Sequence, residues 1–427
     1  MPTHAPPLRC PAARAAAALL AGAAGLTLAA AVHAQSSPYY LGGSLSVSHD
    51  SNLLRLADGQ ATPVGFSKSD RITSTALLAG VDQPFGRQRF YGNLALRSNR
   101  FADNAIYDNQ GYTLATGLDW STVERLSGSL AASASRNLSS YNLQEIGLLT
   151  EKNLEHVRAL DASLRLGLVS EYALELSGGQ RRVKNSLDVE SVQSRNYVQD
   201  TAALGARWRP APGSSLGLAL RSTQGRYPKF RLVGGDYEAD RYKRRDIDLT
   251  ATVKPSGASS LDLRLSSGKT EYDLATQRDF SGLTGSLAWF WQPSGKIRMS
   301  TRISRDTGQD SYAVTDFFGN PGTTDYSRVL SSLRVKTDYD LSAKLALNLI
   351  LSYADRDLVL TQPSTVGLPP LSGRDRYTTV ALGARWTPHR SLLLGCDLVN
   401  ERRRGSGDLG TDVKAASTSC FGQFTLQ

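Results

Sequence analysis

From residue 41 to residue 426, apolar residues recur at every second position in short runs. Leu41, Gly43, Leu45 and Val47 alternate with Gly42, Ser44, Ser46 and Ser48. The pattern returns at Leu94 and Leu96, at Leu160, Ala162, Leu164, Leu166 and Leu168, at Leu216, Leu218 and Leu220, and at Leu261, Leu263 and Leu265. Ile297, Met299 and Ile303 likewise oppose Arg298, Ser300, Arg302 and Ser304, and Leu345 to Leu351 oppose Ala346 and Asn348. A period of two sends neighbouring side chains to opposite faces of a strand, so each run has one apolar and one small or polar face. No stretch of similar length carries a 3.6-residue stripe, and the chain is expected to be nearly all β.

The connections between these runs alternate in kind. Short Pro, Gly, Ser and Asp turns fall at 82–86, 121–124, 170–171, 209–213, 254–257, 292–295, 340–342 and 387–389. Longer polar loops separate them, at 49–70, 101–110, 137–154, 180–196, 224–240, 268–279, 305–326, 355–374 and 402–415. One rim of tight turns and one of long loops suits a transmembrane antiparallel up-and-down β-barrel of about 18 strands, with both termini on the tight-turn side. In hydrocarbon every backbone N–H and C=O must be paired internally, so a sheet crosses only when it closes on itself. A soluble sandwich or propeller is the alternative, but a propeller would repeat in four-stranded blades, whereas the unit here is a hairpin of about 40–50 residues. The 427-residue length alone would suggest several soluble domains. The mean hydropathy of −0.29 fits that too, but strict alternation averages a lipid face with a wet one.

The start of the chain reads as an address. Arg9 and Arg14 precede an apolar stretch from Ala15 to Ala31, and Val32-His33-Ala34 is a small-x-small cleavage site. The expected division is a signal peptide at 1–34 and an outer-membrane barrel at 35–427; an N-terminal membrane anchor is the alternative. Loss of the two arginines takes the net charge from +10 to about +8.

All five tryptophans, Trp120, Trp208, Trp289, Trp291 and Trp386, lie where strands run into short turns, and three belong to a Trp-x-Pro pattern. Indole prefers the headgroup level, so they are expected to form an interface girdle. Tyr112, Tyr141, Tyr227, Tyr242, Tyr353 and Tyr377, near the long-loop ends, are candidates for the opposite belt. The mature chain keeps Cys396 and Cys420. A hairpin register pairing them also sets Leu394 opposite Gly422 and Leu392 opposite Phe424. A disulfide formed in an oxidising compartment is one reading, and two small apolar residues on a lipid face the other. Neither cysteine has a histidine at ligand spacing, so no metal site is expected.

The segment His49-Asp50-Ser51-Asn52-Leu53-Leu54-Arg55-Leu56, following a first strand, resembles the opening of the exopolysaccharide-operon (EpsL-type) outer-membrane barrels within the putative β-barrel porin superfamily. There a first strand runs into Asp-x-Asn-Leu-x-Arg. The end, Cys420-Phe421-Gly422-Gln423-Phe424-Thr425-Leu426-Gln427, is similar to the same family's C-terminus, although the terminal aromatic usual in outer-membrane barrels is absent. The resemblance implies a Gram-negative cell outer membrane, termini in the periplasm, and a porin-like part in exopolysaccharide biosynthesis and polysaccharide export, with acidic polysaccharide and export machinery as partners.

The inward parity carries Arg97, Arg165, Arg207, Arg221, Arg264, Arg298, Arg302, Arg334, Lys336 and Arg385. Fewer acids share it, among them Asp119, Asp161, Glu175, Asp246 and Asp248. In an open bore such a field concentrates anions. The alternative is that the arginines pair with acids on neighbouring strands and stiffen a closed lumen. Arg402-Arg403-Arg404 and Arg241-Tyr242-Lys243-Arg244-Arg245 are candidate contacts for lipopolysaccharide phosphates or an acidic polymer, beside the reading of solvated loop charge. Nucleic acid is disfavoured by the leader and by the lack of any recognition module. No enzyme and no cofactor are expected: the mature histidines are His49, His156 and His389, and His49-Asp50-Ser51-Asn52 is ordinary loop chemistry. Three functions remain: exopolysaccharide export through a passive basic lumen, a general or anion-selective diffusion porin, and a structural or surface-binding barrel with a closed lumen.

Overall fold

The computed structural model describes residues 37–123, 125–139, 142–143, 147–167, 171–307, 327–360, 371–408 and 410–426. The leader, its cleavage point and Tyr141 lie outside them. The first strands are β1 (Tyr39–Asp50), β2 (Asp70–Phe85), β3 (Gln88–Phe101), β4 (Asn109–Ser121) and β5 (Leu126–Leu138). A separate two-stranded ladder follows, β6 (Asn142–Leu143) and β7 (Gly147–Leu148). The main sheet continues with β8 (Leu154–Leu166), β9 (Tyr172–Asn185), β10 (Tyr197–Ala211), β11 (Ser214–Val233), β12 (Asp236–Ser256) and β13 (Ser259–Tyr272). It ends with β14 (Phe280–Trp291), β15 (Ile297–Asp306), β16 (Ser327–Asp340), β17 (Leu345–Leu360), β18 (Leu371–His389), β19 (Leu392–Gly407) and β20 (Val413–Leu426).

These form one closed antiparallel β-barrel of 18 strands. Each strand pairs with its sequence neighbours, and β1 pairs with both β2 and β20, so no strand of the barrel presents an unpaired edge. Leu41 lies opposite Leu426, which brings the described ends of the chain to the tight-turn rim. The alternation of short and long connections follows the sequence pattern, with corrections at the loop rim: β17 runs on to Leu360, β18 begins at Leu371, and β19 runs on to Gly407, so Arg402, Arg403 and Arg404 lie in a strand and not in a loop. Residues 224–240 are not a loop: β11 and β12 run on to Val233 and Asp236, joined through Gly234 and Gly235 at φ 62° and 96°. Two consecutive positive-φ residues make the two-residue hairpin turn whose twist matches the strands, and the mixture of charged and apolar residues on both faces of the emergent hairpin hides that continuation from a hydrophobicity pattern.

Register separates the two faces. Leu77 opposite Leu96, Leu204 opposite Leu220 and Leu382 opposite Leu398 point outward and are more than 40% exposed on either side of each pair. Such side chains encircle the sheet, and the buried apolar clusters sit instead at the loop rim, one around Leu53, Leu54, Leu56, Phe101 and Tyr107, another around Val183, Tyr197, Tyr227, Tyr242 and Tyr272. The buried core therefore lies at the loop rim and not along the outward leucines of the strands.

Two loops repeat one anchoring device. The Asp70 carboxylate accepts from the amides of Ala102, Asp103 and Asn104, and Asp108 Oδ1 accepts from Phe101 N at 2.8 Å. The Asp240 carboxylate accepts from Leu274 N and Ala275 N, and Asp279 Oδ1 accepts from Tyr272 N at 2.8 Å. Each loop contains one 3₁₀ turn, Ala105–Tyr107 or Thr276–Arg278. Cys396 and Cys420 are bonded, in the register the sequence predicts, with Leu394 opposite Gly422 and Leu392 opposite Phe424. Both also face outward with Leu398 and Phe424, so the two readings of the pair hold together.

Candidate functional site: the barrel lumen

Where the outward positions of a strand are apolar, its alternate positions face the bore. The register puts all nine arginines named from the sequence on that face. Arg97, for example, lies between Ala76 and Gly111, and Arg385 between Ala346 and Gly395. Most are held by carboxylates on adjoining strands. Glu175 receives Arg165 Nε at 2.5 Å and Arg207 Nη2 at 2.9 Å. Arg221 reaches Asp246 and Asp248, Arg244 reaches Asp246, and Arg264 reaches Asp306 at 2.6 Å. Arg298 pairs with Asp340 and Arg385 with Asp397. The inward face is thus far richer in acids than the sequence reading allowed. Asp306, Asp340 and Asp375 share it where the strands extend beyond their apolar runs, and so do Asp338 and, within the apolar run of β19, Asp397.

Arg302 and Arg334 stand apart. They are direct cross-strand partners on β15 and β16, flanked by Ala288 on β14 and Ser352 on β17. Among the described residues neither has an ion pair, and the neighbouring carboxylates are engaged elsewhere: Asp306 with Arg264, Asp338 with Lys336 at 3.1 Å, and Asp262 with Thr252. Like charges directly opposite on one sheet face repel. Arg302 is exposed although it points inward, as are Asp161, Ser163 and Ser177. Water therefore reaches the inner wall at these positions. The juxtaposition of Arg302 with Arg334 was beyond sequence reasoning, since the register across a long β15–β16 connection has no local signal.

At the loop rim the inward face turns aromatic. Tyr197, Tyr227, Tyr242 and Tyr272 lie on four successive strands with ring centroids 5.8, 6.0 and 5.3 Å apart. Gly225 lies under Tyr242, where an added Cβ would stand 2.0 Å from a ring carbon. Arg356 and Arg403 both hydrogen-bond the Tyr377 hydroxyl. This corrects the expected outer tyrosine belt: Tyr227, Tyr242 and Tyr377 face inward, being out of phase with Leu216, Ile247 and Val380, while Tyr112 and Tyr353 face outward. Beside the mouth, Tyr107 donates to the Leu149 carbonyl at 2.7 Å, and burial pushes its hydroxyl up to about 12.

The Asp-x-Asn-Leu-x-Arg segment has structural work at the same rim. Arg55 bridges Asp50 and Glu401, and Asn52 bonds both Leu56 and the Lys414 carbonyl, tying the β1–β2 loop to β19 and β20. His49 points outward and Asp50 inward, so the pair does not converge as a catalytic dyad. At the opposite rim all five tryptophans face outward within a few residues of a tight turn, and Trp289 and Trp291 stack at 5.5 Å. Among the described residues no three His, Cys, Asp or Glu side chains are grouped to hold a metal.

No family model and no curated protein matches the chain. Among solved structures it is similar to the outer membrane protein OpdK of Pseudomonas aeruginosa, with 11% identity, a TM-score of 0.45, and 91% of this chain and 98% of that one covered. OccK2 (OpdF) of the same organism, solved in complex with glucuronate, gives 14% and 0.46 over 91% and 98%. The siderophore receptor PirA of Acinetobacter baumannii gives 8% and 0.41 over 92% and 81%.

Proposed function

We propose that this protein is a porin-like channel of a Gram-negative outer membrane, passing hydrophilic solutes passively and favouring anions at the Arg302–Arg334 pair. The observation that carries this is the closed 18-stranded sheet with its apolar side out and a water-reached polar side in. In water such an exterior would associate, while in lipid it is the solvated face. Paired arginines contribute little net field, because each is matched by a carboxylate a few ångströms away. An uncompensated pair raises the local anion concentration and so sets selectivity. The resemblance of the Asp50–Arg55 and Cys420–Gln427 segments adds a finer reading, in which the anion is an acidic polysaccharide and the barrel serves exopolysaccharide export.

Conductance of the purified full chain in planar bilayers tests the proposal. The expected result is a reversal potential on the anion side that moves toward zero in Arg302→Gln/Arg334→Gln, while Arg165→Gln, whose acid partner also holds Arg207, shifts it less. A barrel that inserts but stays silent would establish the closed-lumen reading. For the finer reading, a deletion strain with unchanged exopolysaccharide secretion excludes an export role and leaves the diffusion channel.

A further inference from the structure

The arginine lysine run of β12 splits by parity, and its outward half belongs to a larger feature. Arg244 turns inward to Asp246, but Arg241, Lys243 and Arg245 face outward and are exposed. In the ladder Arg241 lies opposite Arg226 of β11, Arg226 opposite Val198 of β10, Val198 opposite Arg182 of β9, and Arg182 opposite Arg158 of β8. Four arginines therefore share one cross-strand row on five successive strands, about 19 Å from end to end at the spacing of a sheet. Among the described residues none of these outward cations has an ion pair. The acids on the same face are few, and two are taken up: Asp200 by Gln180 and Glu271 by Lys269. On the opposite flank three outward cations are paired, Arg374 and Arg376 with Asp355 and Lys414 with Asp58, while the outward Arg402 and Arg404, opposite Lys414 and Arg376, have no ion pair among the described residues and do not extend into a row over five strands.

The height of the row identifies what would neutralise it. Val198 is ten residues beyond Trp208 along β10. At about 3.4 Å per residue and a tilt near 40°, that is roughly 26 Å above the tryptophan level, close to the ~25 Å apolar band of an outer-membrane barrel. The outward leucines end just below it, with Leu160 two residues after Arg158 on the same face and Ile247 two residues after Arg245. Repelling pairs such as Arg158–Arg182 and Arg226–Arg241 cost stability unless an anion lies between them, and arginine takes phosphate oxygens two at a time.

We propose that the outward face of β8–β12 is a binding site for phosphorylated glycolipid headgroups of the outer leaflet, centred on Arg158, Arg182, Arg226 and Arg241. It rests on the membrane-barrel reading above. The full-length mature barrel, purified in non-ionic detergent, would be titrated with bis-phosphorylated lipid A and with its dephosphorylated form, and bound lipid counted by native mass spectrometry. Expected is phosphate-dependent binding that weakens on the order of 100-fold in Arg158→Gln/Arg226→Gln/Arg241→Gln, at about fivefold per cation lost near an anionic surface. Arg374→Gln/Arg376→Gln/Lys414→Gln should bind as the parent does. Equal binding of both lipid forms, unchanged binding by the β8–β12 variant, or equal loss in both variants overturns the proposal. Insertion into phosphatidylcholine vesicles, with the faster migration of unboiled protein in SDS gels, is measured in parallel. Inserted protein that shows no phosphate-dependent binding sinks the lipid site alone, and failure to insert sinks the membrane reading with it.

Discussion

Single residues at the loop rim carry more of the chemistry than their polarity suggests. Glu155 is buried at the loop end of β8, between Asn137 and Asn185, beyond the row of outward arginines. Burial pushes its carboxyl up to about 7, against the pull of Arg195 and Arg181. A carboxyl whose folded value lies above its unfolded 4.5 favours the folded state while protonated, and that contribution is lost as pH rises from 4.5 through 7. Glu155→Gln stays neutral and removes the dependence. We expect the guanidinium midpoint of the parent to fall between pH 5 and pH 8 by more than that of Glu155→Gln, the difference amounting to about 3 kcal/mol. Equal falls in the two proteins would show that other groups set the pH response. Nothing in the local sequence Leu154-Glu155-His156 marks this residue, because its environment comes from Arg181 and Arg195, on and beside other strands.

Among elements, the strands were legible in the sequence and their ends were not. Period two and the Pro-Gly turns identify the hairpins, and the Cys396–Cys420 register follows from matching outward parities. The emergent β11–β12 hairpin escaped because its extra residues mix charged and apolar side chains on both faces, so alternation there marks no apolar side. The twin loop anchors escaped for a different reason: Asp70 and Asp240 act through backbone amides some thirty residues downstream, and backbone donors leave no trace in residue type. Asp240→Ala leaves the amides of Leu274 and Ala275 without their acceptor in a buried setting, at a cost of about 1–3 kcal/mol. The β13–β14 loop should then be cut by trypsin at Arg278 in the folded barrel, while Asp70→Ala opens only the β3–β4 loop. Identical digestion patterns in both variants and the parent would show that the carboxylates are dispensable. The disulfide is an element-level staple too, joining β19 to β20 beside the seam where Val47 of β1 faces Cys420. Closing a loop of 24 residues contributes about 3 kcal/mol in the chain-entropy account. Cys396→Ser/Cys420→Ser should still fold, since the β1–β20 backbone ladder is intact, but with a lower guanidinium midpoint; an unchanged midpoint would mean the ladder alone holds the seam.

For the whole molecule, closure turns a list of strands into a sided object. The inner wall was legible as far as parity: the nine arginines alternate with outward apolar residues in the register. Whether each is compensated depends on strands distant in sequence, and that is where the basic lumen of the sequence reading becomes, among the described residues, a mostly paired one in which Arg302 and Arg334 have no ion pair. Much of the excess positive charge lies outside instead, on the flank of β8–β12. The two rims should then meet different compartments. The tight turn between β2 and β3 holds exposed Arg87, and the β19–β20 connection holds exposed Asp408. If the outward arginines lie at the outer leaflet, the long loops face the medium and the tight turns the periplasm. In a Cys396→Ser/Cys420→Ser background, Asp408→Cys should react with a membrane-impermeant maleimide on intact cells, and Arg87→Cys only after the outer membrane is permeabilised. Labelling of Arg87→Cys on intact cells with Asp408→Cys protected would invert the barrel and place the arginine row at the periplasmic leaflet. Equal labelling of both would mean that the chain does not separate two compartments.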